Sequence, residues 1–361
     1  MNKSSSDLPI IVLDSTQSCE ISAEVEIEGV VFTHKENLSF DDLQSYADTK
    51  CNFNKKPLNN EESCLLINSD SKLKNIAVLD SLTYGITFAN TNGTVEDSII
   101  SHCYDTCIYC SKKTEAILLA TKIINSRYIG VKITEYSNPS LTDCEIYGHL
   151  GNGITVVEQG RGTFLDCDIY NNKKNGLVII DSAMPDFNGC KIHDNKTEDE
   201  NNPGVVVAAN SNPSLIDCEI YGHLSDGIWI MGQGSGTYTN CNIHNNENVG
   251  ISVDGEGNGI FTNCHIHNNE AYGLYISESG TPSFEDCKIR NNENVGINIE
   301  DEGSGTFSNC YIHNNEDSGI RIQDEGSGSF MNCHIHNNEF CGIKIQDEGS
   351  GTFSNCYIHN N

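Results

Sequence analysis

Gly303 to Glu325 reads G-S-G-T-F-S-N-C-Y-I-H-N-N-E-D-S-G-I-R-I-Q-D-E, and this 23-residue unit recurs through most of the chain. Its cysteine marks the copies: Cys144, Cys167, Cys190, Cys218, Cys241, Cys264, Cys287, Cys310, Cys333 and Cys356. Every interval is 23 residues except that from Cys190 to Cys218, which is 28. A fixed period of this length marks a stacked array, in which each copy is one supersecondary unit that buries its apolar face against its neighbours.

Within the unit the apolar residues alternate, which is the period of a strand and not of a helix. Phe307, Cys310, Ile312, Ile320 and Ile322 fall inward, and Ser308, Tyr311, His313, Arg321 and Gln323 outward. Turns at Asn309, at 314–319 and at 324–328 separate three short strands, with Gly and Asn at the corners. Leucine-rich horseshoes need a Leu framework and helical repeats a 3.6 period; neither is present. The pattern predicts an all-β fold, a right-handed single-stranded parallel β-helix with three strands per 23-residue coil.

Stacking sets equivalent residues about 4.8 Å apart, so each column becomes a ladder. Ile, Phe and Cys columns make the core, and Asn240, Asn263, Asn309, Asn332 and Asn355 are expected to bond along one corner, with Asp143, Asp166, Asp217 and Asp286 replacing Asn in other copies. Burying an apolar side chain contributes roughly 1.5–3 kcal/mol, against about 1.5 kcal/mol per residue to order the chain. A coil with five such side chains cannot stand alone; a stack can.

The period continues upstream in weaker form. Gly130, Val131 and Ile133 match Gly153, Ile154 and Val156, and Gly85, Ile86 and Phe88 precede them with Cys107 between. Regular β-helix is expected over 65–361. Residues 1–64 are read as an irregular coil around Val25, Ile27, Val30 and Phe32 together with a capping segment. Ser39 to Thr49 (S-F-D-D-L-Q-S-Y-A-D-T) predicts a short helical cap, with Ser39 as N-cap. The sequence stops at Asn361 inside a turn. That predicts a fragment of a longer protein, or an open edge available for end-to-end association.

Lys and Arg number 21 against 51 Asp and Glu, a formal charge of −30. This argues against nucleic acid, which needs clustered basic residues, and against anionic membranes. No apolar run is long enough to span a bilayer, and the apolar start, broken by Asp14, is too short for a signal peptide. Ten of the 17 cysteines are ladder positions facing a dry core, poorly placed for disulfides. A cytoplasmic location is the expectation.

Three outward columns are candidates for function. Glu278, Asp301, Asp324 and Asp347 form one acidic corner column, and Glu302, Glu325 and Glu348 the next. Carboxylates about 4 Å apart repel by roughly 1 kcal/mol in water. Bound Ca²⁺ or Mg²⁺ would relieve this; a solvated edge that blocks aggregation is the alternative. No motif demands any other cofactor. His244, His267, His313, His336 and His359 share a second column, with His265 and His334 two residues ahead on the same face. His313, His334, His336 and His359 are the Zn²⁺ candidates, set against simple copying of a surface residue by duplication.

The third strand supplies the third. Its outward residues run Thr155, Val178, Val206, Trp229, Ser252, Tyr275, Asn298, Arg321 and Lys344; beside them run Val157, Ile180, Ala208, Met231, Asp254, Ser277, Glu300, Gln323 and Gln346. Val206, Trp229, Met231, Tyr275, Asn298, Arg321 and Lys344 form the candidate binding face for a protein or polysaccharide. The insertion at 196–203 lengthens a turn beside it. As catalytic acids only Asp254 and Glu300 offer themselves, two coils apart or about 9.6 Å, at the outer limit for an inverting carboxylate pair.

The alternation of S-N-P-S-L-T-D-C-E-I-Y-G (Ser137 to Gly148) with G-R-G-T-F-L-D-C-D-I-Y-N-N (Gly160 to Asn172) resembles the parallel β-helix repeats of the carbohydrate-binding and sugar-hydrolysis class. It is similar to bacterial right-handed β-helix repeat proteins and to the β-helix of F-box only protein 11. The resemblance covers about 137–361 and implies the fold. Its class holds polysaccharide lyases and epimerases as well as non-enzymatic recognition proteins. Residues 1–69 show no F-box-like helical segment, and the acid and base motifs of pectin or alginate enzymes find no match. The expectation is a non-catalytic recognition scaffold on the Trp229/Tyr275 face. The alternatives are a polysaccharide lyase, epimerase or hydrolase on that face, and a cation-binding acidic corner.

Overall fold

The computed structural model describes residues 10–12, 19–21, 23, 25–33, 63–196 and 202–361. The helix expected over 39–49 and most of the insertion at 196–203 lie outside them. The chain is a parallel β-solenoid of about 13 turns with three sheets and, among the described residues, no helix. In the repeat unit sheet A holds Tyr311–His313, sheet B Ile320–Ile322 and sheet C Ser327–Met331. The last strand opens at Ser327, inside the stretch read as turn, because Ser304 and Gly305 pair in extended register with Ser327 and Gly328.

Two compact units divide the chain, residues 1–173 and 174–361. In the first, short strands at Glu26–Glu28 and Val31–Thr33 already pair in parallel with Lys72–Lys74 and Ala77–Leu79. Its later coils follow the repeat, for example Ile108↔Val131 and Val131↔Ile154. In the second unit the register is uniform: Trp229↔Ser252↔Tyr275↔Asn298↔Arg321↔Lys344 along sheet B.

The second unit's core is a set of dry columns. Tyr238, Phe261, Phe284, Phe307, Phe330 and Phe353 stack face to face, with centroids 4.4–5.2 Å apart. The ladder cysteines are free thiols, and from Cys144 to Cys333 they are buried, each packing as a small apolar residue.

A polar column runs inside as well. Asn246, Asn269, Asn315 and Asn338, the second Asn of each H-N-N, and Asn292, the second Asn of R-N-N, are buried. Each side-chain Nδ2 donates to the next Oδ1 at 2.8–3.0 Å, and each backbone N–H to that same oxygen at 3.1–3.2 Å. Buried amides are tolerated here because their bonding groups find partners along the stack. The ladder expected at the Asn309 corner is the exposed counterpart: Asn263 donates to Asn240 at 2.9 Å, Asn240 to Asp217 at 2.9 Å and Asn332 to Asn309 at 3.3 Å. Its members sit at positive φ, 53–57° for the five Asn residues, which Asn accepts at low cost.

Histidine replaces Asn twice in the buried column, at His149 in the first unit and His223 in the second. Both rings are fully buried. His149 Nδ1 accepts the Ser126 backbone N–H at 2.9 Å, and its Nε2 lies 3.0 Å from the Ile123 carbonyl. His223 places Nε2 3.1 Å from the Ile192 carbonyl. Gly204 of the neighbouring coil leaves room for the ring, an added Cβ falling 2.2 Å from His223 Nε2. The same glycine column faces the Asn residues of later coils, where an added Cβ would fall 2.7–2.8 Å from the amide.

Candidate functional site

Sheet B of the second unit turns its outward residues into paired contacts. The Trp229 indole Nε1 donates to Asp254 Oδ2 at 2.8 Å, and the Tyr275 hydroxyl donates to Glu300 Oε1 at 2.7 Å. In both pairs the carboxylate lies 25 residues after the ring, in the adjacent column one coil on. Two like-built clamps therefore repeat at a two-coil step, about 9.6 Å. Buried Ser252 and Ser277 lie between them.

The lower clamp is extended. Glu300 Oε2 also accepts from Asn298 Nδ2 at 2.9 Å and Gln323 Nε2 at 2.8 Å, and Gln346 donates to Gln323 at 3.1 Å. Tyr272 stacks beside Tyr275 at 5.8 Å between centroids. Burial, with the Glu300 bond, pushes the Tyr275 phenol up to about 12. Asp254 and Glu300 thus come together with ring donors and not with each other. Neither stands as a bare acid.

The upper clamp has a buried supporter. Asp226, only 8% exposed, accepts Asn248 Nδ2 at 2.7 Å, the Val249 N–H at 3.2 Å and Ser252 Oγ at 2.7 Å. Burial raises its carboxyl above the ordinary range against those three bonds, and the charge of Asp254 adds to the rise. Burial raises Asp254 too, opposed by the indole bond and reinforced by Glu278. Asp226 was not among the residues expected from the sequence. Its column gives only a weak signal, since the equivalent places hold the buried Val249 and Val295 but also the buried polar Asn175 and Ser318.

The remaining members of the proposed face divide. Val206 and Met231 are half-buried beside Trp229. Arg321 is turned to Asp317 at 2.5 Å, and Lys344 lies 5.9 Å from the centroid of the exposed Phe340 ring. These two cations are engaged locally and do not neutralise the clamps.

The acidic corner is an open concavity lined by Glu278, Asp301, Glu302, Asp324, Glu325, Asp347 and Glu348. Asp301 and Glu302, like each later pair, take consecutive positive φ values. The histidine column is a parallel ring stack: His244 on His267 at 5.0 Å, His313 on His336 at 4.9 Å and His336 on His359 at 5.2 Å. Tyr311, His334 and Tyr357 stack beside it. Burial, then the charge of Arg290, drives His267 down to about 4, and burial also lowers His313 and His336. Among the described residues no group of three or more His, Cys, Asp or Glu is arranged to hold a metal ion.

In the first unit Arg127 has a different setting, also missed in the sequence. Its guanidinium donates to the Tyr104 hydroxyl at 2.6 Å and lies 4.8 Å from that ring's centroid. Lys132 sits 5.7 Å from the centroid of the Tyr109 ring.

The family of right handed beta helix regions matches residues 63–201, 186–307 and 250–361, and the chain belongs to it. No curated protein matches the chain. Among solved structures the periplasmic alginate epimerase AlgG is 11% identical, with 82% of this chain and 76% of that chain covered and a TM-score of 0.58. The Azotobacter vinelandii mannuronan C-5 epimerase AlgE6 A-module is 12% identical over 94% and 80% of the two chains, with a TM-score of 0.42. The Agl-KA catalytic domain is 11% identical over 80% and 62%, with a TM-score of 0.46. At such identity the likeness is one of fold.

Proposed function

We propose that the outer face of sheet B in the second unit is a non-catalytic recognition surface for a glycan. The observation that carries this reading is the pair of ring–carboxylate clamps, Trp229 on Asp254 and Tyr275 on Glu300. A carboxylate that holds an aromatic ring by hydrogen bond is spent on orienting that ring. Oriented rings with polar edges are what a sugar face needs for stacking and hydroxyl contacts. The alginate epimerase AlgG shares the solenoid architecture, which favours a polysaccharide over a protein as occupant.

A glycan panel probed with the full chain and with Trp229→Ala tests the reading. Retention of a glycan class by the wild type and its loss in the variant is the expected result. No retention, or retention indifferent to Trp229, would contradict it.

A second reading, an enzyme acting on a polysaccharide at the same place, draws on Asp226 and Asp254, both raised by burial. Incubation of a retained glycan with the protein decides between them. New reducing ends, unsaturated products or inverted stereocentres support the enzyme; an unchanged glycan supports recognition alone.

A further inference from the structure

We infer that the ligand of this face is a polysaccharide carrying free amino groups, with a repeat of two sugar units matched to the two clamps. The inference rests on the recognition reading above and adds the ligand's charge and period.

The period comes from register. Trp229 and Tyr275 share a column two coils apart, as do Asp254 and Glu300. The step is about 9.6 Å, comparable to the length of a disaccharide. A chain laid along the stack would meet a ring and a carboxylate at every second sugar, with small Ser252 and Ser277 under the sugar between. An extended peptide fits less well. The sheet B strands of these coils are paired on both sides, so no free edge receives an added strand.

The charge comes from composition and from the clamps together. From Val205 to Cys287 the sequence has ten Asp and Glu and no Lys or Arg. An acidic sugar chain would meet Asp254, Glu278 and Glu300, and the nearest cations of the Glu300 coil, Lys288 and Arg290, belong to sheet A and not to this face. An ammonium group suits the site instead, because aromatic faces attract cations and the carboxylates accept its protons. Burial is the first cause of the upward shifts of Asp226 and Asp254, and a neighbouring acid adds a smaller part to each, Asp254 to Asp226 and Glu278 to Asp254.

An independent observation lies at Asn298. This residue is 1% exposed, and its Nδ2 is held by Glu300 at 2.9 Å. Its Oδ1 is buried with no hydrogen-bond partner. An acceptor kept dry and unpaired is unfavourable. A donor-rich ammonium bound beside Glu300, with the Tyr275 bond to Glu300 kept, would bring a donor toward this acceptor.

The test uses glucosamine oligosaccharides of defined length, their fully N-acetylated counterparts, oligouronates and oligolysine, titrated calorimetrically into the full chain at a pH where the amines are protonated. Glucosamine oligomers should bind about tenfold tighter than the acetylated or uronate oligomers of equal length. Affinity should rise steeply once the oligomer spans both clamps. Asp254→Asn and Glu300→Gln, which preserve shape, should each erase most of the preference for the amine, and Trp229→Ala should remove binding. Equal binding of acetylated or uronate oligomers overturns the charge assignment while leaving the recognition reading intact. Oligolysine binding as tightly, and indifferently to Trp229→Ala, overturns it as mere attraction to an acidic chain. If none of these oligosaccharides binds, the amine assignment falls, and the glycan panel decides the recognition reading separately.

Discussion

Trp229 and Asp254 are joined by an indole N–H···carboxylate bond of 2.8 Å across adjacent coils, and the same relation recurs between Tyr275 and Glu300 at 2.7 Å. Trp229 is the only tryptophan in the chain, so its emission reports this clamp directly. Asp254 titrates above the ordinary carboxylate range because burial disfavours its charge. Acidification should therefore shift the emission with a midpoint above that of a solvent carboxylate, about 3.9. The transition should vanish in Asp254→Asn. A midpoint at or below the ordinary value would be inconsistent with the clamp.

Asp226 gives a stability prediction with a definite sign. Its folded-state carboxyl is raised, so the fold disfavours the ionised form and gains nothing from it at neutral pH. Asp226→Asn keeps an acceptor for the Val249 N–H and removes the buried charge. The melting temperature near pH 7 should rise or hold, and the gain should disappear below the folded-state pKa. A sharp fall at pH 7 would show that the charge is stabilising.

His223 makes the stack acid-sensitive. Burial first, against bonds to the Asn195 and Ile192 carbonyls and the charge of Asp194, depresses its pKa to about 4, from 6.5 for a free imidazole. The unfolded chain takes up a proton below pH 6.5 while the folded chain does not. Stability is therefore lost as pH falls from about 6.5 to about 4, by roughly 3 kcal/mol. His223→Asn restores the ladder residue of the other coils and should flatten that part of the pH–stability curve. Unfolding titrations at several pH values check this, and an unchanged slope would count against it.

The two amide ladders should differ in worth. Asn292 accepts from the Asn269 amide and backbone and donates to Asn315, all in a dry column. Asn292→Ala strands these partners and should cost about 3 kcal/mol, the loss of several buried hydrogen bonds. Asn309, half-buried at a corner with φ 54°, accepts from Asn332 at 3.3 Å. Asn309→Gly, which accepts that φ, should cost below about 1 kcal/mol. Comparable costs would mean that the buried ladder is not special.

This contrast also shows what periodicity reveals. The inward columns of Phe307, Cys310, Ile312, Ile320 and Ile322 follow from alternation alone, and each is buried. Asn315 does not follow, because H-N-N reads as a polar turn until the coil closes and brings the amides into register. The outward columns gave Trp229, Asp254, Tyr275 and Glu300 their places. They did not give the pairing, since that depends on each ring leaning one coil along and one column across. Asp226 was readable only as one acid in a mixed column with Asn175, Val249, Val295 and Ser318, and its bonds to Asn248 and Ser252 need the stack.

The most direct measurement is a titration of the full chain with a glycan retained on the panel, following Trp229 emission and heat together. Recognition at the clamps predicts a saturable emission change whose midpoint matches the calorimetric one and which weakens in Tyr275→Ala. Heat of binding without any change at Trp229 would place the ligand elsewhere and contradict the account.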